Sequence, residues 1–548
     1  MTMFEEIRDL TIKLVSIPSV NSTSGECHIA DAIEAYFRQI PYFKAHPDQV
    51  FTQPLEGDAL NRRNVFALLK GEKGSSKNTI ICHGHIDTVD VDDYSALKPY
   101  AFDCRTLAEK LKNAPISDEV RADLESGDYL FGRGACDMKC GDAVFMVLAK
   151  HLSEHPEKLD GNLLFSFNPV EENLHWGMTE AIKVFNRLKE AEGLHYVLAL
   201  NNDYICPMYP GDTTRYVYTG AVGKLLPTFY IVGRETHVGQ CFEGFPADLT
   251  AAELIREIDL NPDFCDGYKG EFTLPPSVLK MQDLKATYNV QTPHKAMVYF
   301  NYFVHNKQLT EIMEKLKTAA ANALERVRRL QDERYRQYCE LSSIQYTKLH
   351  EEFQVMEYAE ALDKAQAVYD GDLTAHLEAL TDRLILKDID KRDISVALAD
   401  EICRIAGIKT PTIVIFFSTP YCPHNTLKAE VPEEAAVISR LSGIAAEFAQ
   451  ESGENMKLLQ FFPSLSDSSY IKIDDDDASV DMLYENFPGI RRLYDIPLRE
   501  GKQLNIPAVN YGCWGKDCHK WTERVYMPYS FGKLPQFILK TIENYFMN

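Results

Sequence analysis

Five separated groups of side chains in this chain could hold and use a divalent cation: His85, Asp137, the pair Glu171-Glu172, Asp203 and His519. Imidazole and carboxylate donors in this mixture suit zinc, with manganese or cobalt as alternatives, and no cysteine is needed as a ligand. Glu171 and Glu172 would repel each other if both were ionised in a pocket, unless a cation neutralised one of them or was shared by both. One could then ligate metal while the other takes a proton from water. Taken singly, each group is a weak signal, because a lone strand-end aspartate is usually a turn or cap residue and a Glu-Glu pair is usually surface. Their ordered placement along the chain carries the reading.

All but His519 follow an apolar, strand-like run or sit in a glycine-rich turn. Asn78-Thr79-Ile80-Ile81 runs into Cys82-His83-Gly84-His85-Ile86-Asp87, the end of an expected buried strand. Side chains alternate across a strand, so His85 and Asp87 share a face, and the carboxylate could hold the imidazole in one tautomer. His83 has the same parity, and this stretch alone does not choose between the two histidines. Leu163-Leu164-Phe165-Ser166-Phe167 delivers Glu171-Glu172, and Tyr196-Val197-Leu198-Ala199-Leu200 delivers Asp203. Helical stretches at 142–152 and 179–189 alternate with these strands. The pattern is that of an α/β sandwich whose site lies at the C-terminal edge of a mostly parallel sheet.

The texture changes after residue 212. A strand-like run at 215–233, a helix at 247–258, strands at 280–289 and 295–305, and a periodic helix at 308–330 precede the strand Thr412-Ile413-Val414-Ile415-Phe416-Phe417. This β-α-β-β-α-β order, with a helical insert before the last strand, is ferredoxin-like. The expected organisation is a catalytic α/β domain in two parts, 1–212 and 426–548. A lid domain at 213–425 interrupts it and carries an extra helical insert at about 331–409. The acidic run Asp474-Asp475-Asp476-Asp477 lacks the spaced glycine and glutamate of a calcium loop and reads as a solvated turn.

With 548 residues the chain exceeds a single core. Its 58 Lys and Arg against 81 Asp and Glu leave a net charge of −23, which argues against nucleic-acid and anionic-membrane partners. No apolar run approaches the ~20 residues that span a bilayer, and the acidic N-terminus lacks a signal-peptide pattern. Thirteen cysteines without a compact framework suit free thiols. The expected location is cytoplasmic.

The motifs now support a specific resemblance. The sequence resembles the co-catalytic zinc peptidase and deacylase family that includes acetylornithine deacetylase, succinyl-diaminopimelate desuccinylase, aminoacylase and glutamate-releasing carboxypeptidases. The matching motifs are His85-Ile86-Asp87, Gly132-Arg133-Gly134-Ala135-Cys136-Asp137-Met138-Lys139 and Glu171-Glu172, followed by Asp203, His519 with Glu523, and His237 in Gly233-Arg234-Glu235-Thr236-His237. The resemblance covers nearly the whole chain except roughly 331–409, and its wording is closest to a longer subgroup tied to arginine utilisation. It implies a zinc-exopeptidase-like three-layer α/β/α catalytic domain with an inserted α+β ferredoxin-like lid. It implies two Zn2+ per chain (Mn2+ or Co2+ as alternatives), one on His85, Asp137 and Asp203 and one on Asp137, Glu172 and His519. Asp87 would orient His85, Glu171 would act as general base and then as acid toward the leaving amine, and His237 would donate to the oxyanion. His83 would be a packing or hydrogen-bonding residue, and the peptide after Asp137 would be cis.

The implied activity is hydrolysis of a peptide or N-acyl amide bond in a small peptide or N-acyl amino acid, in arginine or amino-acid catabolism. The alternatives are a catalytically silent binding or regulatory protein on the same fold, and a single-metal hydrolase. The resemblance is compatible with a homodimer or a monomer. One departure concerns substrate recognition: Val298-Tyr299-Phe300-Asn301-Tyr302-Phe303 lacks the arginine that many relatives carry on this strand. Either another base such as Arg234 reads a substrate carboxylate, or the substrate has none.

Overall fold

The computed structural model describes residues 1–350 and 352–547. The chain forms two compact units: Met1–Ala221 with Asn425–Ile473 and Pro497–Asn548, and Val222–His424 with Asp474–Ile496. The first crossing, at 221/222, lies nine residues beyond the expected 212/213, and the second, at 424/425, lies one residue before the expected 425/426. The segment Asp474–Ile496, read from sequence as part of the catalytic domain, belongs to the second unit. Its backbone accounts for this: Asn486 O accepts the Phe417 N–H, and Pro488 O accepts the Ser395 hydroxyl.

An eight-stranded mixed sheet organises the first unit, in the order Val50–Pro54, Arg63–Lys70, Asn162–Asn168, Asn78–His85, His195–Asn201, Ala508–Asn510, Arg215–Tyr218, Met456–Leu459. The four strands from Asn162–Asn168 to Ala508–Asn510 run parallel. Strands buried on both faces need near-continuous apolar sequence, and the runs legible in the chain are these strands. Val65, Ala67, Ile80, Cys82, Leu163, Phe165, Leu198 and Leu200 face one core, shared with helices Met3–Val15, Gly25–Gln39, Lys139–Leu152 and Leu534–Phe546. Alternate residues face the other side, where Phe66 meets Phe185 of helix Trp176–Glu192 edge-on. The architecture is three-layer α/β/α. No disulfide joins the described cysteines, and no helix among the described residues is long and apolar enough to cross a membrane.

The second unit is built on a sheet in the order Ser277–Asp283, Lys295–Val304, Pro227–Val232, Thr412–Phe417, Gln354–Glu357. The first four strands are antiparallel in ferredoxin-like order. The fifth pairs parallel to Thr412–Phe417 and comes from the insert, as do helices Tyr358–Val368, Leu373–Ile385 and Lys391–Ile405. The preceding helix, Leu309–Ser342, runs past the expected stop at 330. Tyr230, Val232, Met297, Val414 and Phe416 pack against Tyr358, Ala361, Val396, Ala399 and Ile402 of the insert. The insert therefore covers a sheet face that a two-layer ferredoxin-like domain leaves open.

In the acidic run at 474–477, Asp476 and Asp477 are exposed as a solvated turn would have them, but Asp475 is not. Asp475 is fully buried, accepts the Tyr421 hydroxyl at 2.9 Å and lies 3.6 Å from His424 Nδ1. Burial, opposed by His424, raises its pKa above the usual carboxylate range.

Candidate metal centre

The C-terminal ends of the parallel strands in the first unit bring His85, Asp87, Asp137, Glu171, Glu172, Asp203 and His519 into one region. His85 closes its strand, Asp203 follows Asn201 by two residues, and Glu171 begins a one-turn helix just past Asn168. Two glycines permit the close approaches. A Cβ on Gly84 would lie 2.6 Å from Asp142 Oδ1, and one on Gly512 would lie 1.6 Å from the Asp203 carbonyl oxygen.

Asp137 stands at the centre. Its Oδ1 is 2.9 Å from His85 Nε2, and its Oδ2 is 3.1 Å from His519 Nε2. His519 Nε2 is also 3.1 Å from Glu172 Oε1. The peptide after Asp137 is cis. Behind it, the buried Glu523 carboxylate accepts the N–H groups of Cys136 and Asp137 at 3.0 and 3.2 Å, and Arg133 Nη1 donates to its other oxygen at 2.7 Å.

Asp87 holds two parts of the site. Its Oδ1 lies 3.6 Å from His85 Nδ1 and accepts the Glu171 N–H at 3.0 Å. Its Oδ2 accepts the Glu172 N–H at 3.1 Å and the Asn21 side-chain amide at 2.8 Å. One buried carboxylate thus caps the turn that carries both glutamates, satisfying N–H groups that a helix start leaves unpaired, while His85 Nδ1 lies 3.2 Å from the Asp87 backbone carbonyl oxygen. Val170, just before that turn, sits at φ 68°, ψ 26°. A β-branched residue rarely adopts this left-handed conformation. Buried Glu26 helps hold it, accepting the Val170 N–H at 3.1 Å while Arg62 Nη1 donates to its second oxygen at 3.0 Å. Burial and the nearby Asp87 charge, against Arg62, bring Glu26 up to about 7.

The protonation pattern tests whether cations fit here. Burial raises Glu172, with Asp137 adding to the rise. Burial raises Glu171 well above the usual carboxylate range, against His85, with Glu172 adding to it. Burial and the Asp137 charge push Asp203 up to about 8. Burial acts on Asp137 in the same direction, but its bonds with His519 and His85 outweigh it and hold the group low. Hydrogen bonding to Asp137 and then Glu172 raises His519 to about 11. Burial opposes charge on His85, yet Glu171 and Asp137 drive its pKa well up. Without metal, protons occupy a carboxylate-rich pocket whose charge divalent cations would balance, and donor atoms of His85, Asp137 and Glu172 lie within 4.8 Å of one another. The residues present fit the group.

His83 is not among these donors. It is buried, shares a 3.1 Å hydrogen bond with the Ser468 hydroxyl, and burial pulls its pKa down to about 4. Cys136 and Cys140 are fully buried. The converging donors come from the first unit, whereas His237 belongs to the second. It is exposed there, with Nδ1 accepting the Gly239 N–H at 3.0 Å. Arg234, also in the second unit, donates from Nε to Glu243 O at 3.1 Å.

Sequence reasoning passed over Glu26, Asn21, His175 and Asp467. Glu26 was hidden inside a helix read only for its apolar face. His175 carried a usable signal, because four residues separate it from Glu171, the spacing that places side chains together on a helix.

Known proteins resemble this chain over almost its full length. A family model described as Peptidase family M20/M25/M40 matches residues 81–450. Protein RocB of Bacillus subtilis (strain 168) is 37% identical over 543 residues, covering 99% of this chain and 95% of its own. Uncharacterized protein YqjN of the same organism is 33% identical over 543 residues, covering 98% of this chain and 96% of its own. The structure of aminopeptidase PepT from Bacillus cereus ATCC 10987 shares the fold with a TM-score of 0.53 at 13% identity, covering 99% of each chain.

Proposed function

The chain belongs to peptidase family M20/M25/M40, and from that premise we propose that it is a two-metal hydrolase of a peptide or N-acyl amide bond in a small substrate. The observation that carries the reading is Asp137, whose two oxygens face two different imidazoles at 2.9 and 3.1 Å. A carboxylate so placed suits a bridge between two cations, with His85 and Asp203 completing one side and Glu172 and His519 the other. Zinc suits this mixture of nitrogen and oxygen donors. When bound, the metals supply Lewis-acid polarisation of the scissile carbonyl and a lowered pKa for the attacking water.

The chain's own residues do the rest. Glu171, largely buried beside the ligands and raised by burial, accepts the proton of the attacking water and returns it to the leaving nitrogen. Asp87 keeps His85 in one orientation and fixes the turn that presents Glu171. His237 is assigned as a hydrogen-bond donor to the oxyanion. The similarity to RocB and the acidic, thiol-rich composition support a cytoplasmic role in arginine or amino-acid catabolism.

The test is a mass-spectrometric screen of the metal-loaded protein against dipeptides and N-acyl amino acids, with Glu171→Gln as control. Glu171→Gln should lower kcat by about 10²–10⁴-fold while keeping its metal. Retained turnover in that variant would remove Glu171 as base. No turnover by the fully loaded wild type would instead favour a binding protein on this fold.

A further inference from the structure

Beside the proposed centre lies a second convergence of donors, which shares Glu171 with the reaction and adds His175 and Asp467, two residues that the reaction does not use. His175 Nδ1 is 2.9 Å from Asp467 Oδ1 and 3.6 Å from Glu171 Oε1. The three donor atoms lie within 4.8 Å of one another. His175 and Asp467 are 2% and 3% exposed, and Asp467 Oδ2, itself buried, has no hydrogen-bond partner among the described residues. A buried carboxylate oxygen without a partner is costly unless a cation or a donor reaches it.

The framework around these atoms is stiff. His175 closes the one-turn helix that begins at Glu171 and takes a left-handed conformation, φ 53°, ψ 30°. That turn folds its ring back toward Glu171, and the other side of the ring packs on the buried Tyr470 at 5.2 Å. Asp467 opens a short 3-10 turn capped by the Ser466 hydroxyl.

We propose that Glu171, His175 and Asp467 form a third divalent-cation site, of lower affinity than the proposed pair, whose occupation silences the enzyme. Tetrahedral zinc with bonds of about 2.1 Å holds its ligand atoms about 3.4 Å apart, and the two distances from His175 Nδ1 bracket that spacing. The site supplies one imidazole and two carboxylates, a set suited to zinc rather than to magnesium or calcium. On binding, the cation takes the lone pair of His175 Nδ1, and the neutral imidazole keeps its single proton on Nε2. The cation also takes the Glu171 oxygen that would otherwise accept a proton from water. The site is a brake responsive to excess metal: the pair at Asp137 fills first and enables turnover, and this site fills next and stops it.

The inhibitory consequence rests on Glu171 acting as base, whereas the binding does not, so the experiment has two arms. The first counts Zn2+ bound to the full chain by equilibrium dialysis and elemental analysis across rising free Zn2+. Wild type should take up one equivalent more than Asp467→Asn or His175→Gln. Asp467→Asn preserves shape, and matched thermal melts guard against misfolding. The second arm compares hydrolysis at excess and at limiting Zn2+ within each protein. Wild type should lose tenfold or more of its rate at the excess, and both variants should lose little. Mg2+ at the same excess should not inhibit. Equal Zn2+ counts in wild type and both variants would overturn the proposal, as would equal inhibition in all three. If wild type shows no hydrolysis yet binds the extra equivalent, the site stands and the hydrolase reading fails.

Discussion

The two halves of the proposed metal centre are built differently. His85 ends a central strand, is 3% exposed, and is backed by a carboxylate that also receives two backbone N–H groups and an asparagine amide. His519 sits on a loop at φ 64°, with its side chain 49% exposed. Groups carried by strands and locked by neighbours are held more closely than groups on loops. Of the two proposed cation positions, one is thus prepared by folding, while the other depends on a loop settling around Asp137 and Glu172. The expectation is one tight and one weaker metal.

The largest effect should come from removing the prepared half. His85→Ala should lose one metal equivalent at any ordinary Zn2+ concentration and should lose turnover with it. His519→Ala should recover its second equivalent as free Zn2+ is raised. Isothermal titration of both variants checks this, and identical titrations would erase the distinction between the halves.

A smaller loss is expected from Asp87→Asn, which keeps the shape but weakens the hold on His85 and on the Glu171 turn. Outer-shell changes of this kind cost about 10–100-fold in metal affinity or activity. The loss should fall on the tight site, read as a faster release of one metal to a chelator.

Acidity should weaken both halves. His519 is raised to about 11 and His85 is also raised, so both carry protons across neutral pH when metal is absent. Metal must displace those protons, so affinity should rise with pH, by about tenfold per unit for each proton displaced. Proton release on metal addition, measured between pH 6 and 8 in weak buffer, checks the sign. The smallest effect at the centre should come from Phe416→Ala, under the insert of the second unit. It should cost about 3–5 kcal/mol of stability yet leave the metal content of folded protein unchanged.

Much of this was legible before any coordinates. The apolar runs ending in His85, Glu171-Glu172 and Asp203 marked the strands and their functional edge, because a strand buried on both faces has little freedom in composition. The contacts that hold the centre were not legible. Asp87 and Glu26 act through backbone N–H groups 84 and 144 residues away, and any residue but proline offers such a group. Asp475 misled for the same reason: a run of four aspartates looks hydrated until the Tyr421 hydroxyl meets one of them. The insert was visible only as charged helices, since its partner is a sheet face assembled from strands on both sides of it in sequence.

The left-handed valine before the two glutamates sets a direction for change in this protein. Glycine at 170 would adopt the same backbone without the roughly 1–2 kcal/mol that a side chain adds there. Val170 is also buried, at 2% exposure, so glycine there would give up its packing in the core as well. The same freedom would let the Glu171 turn wander from its place over Asp87. Residue 170 is a point where side-chain packing and backbone preference pull in opposite directions, and valine takes the packing.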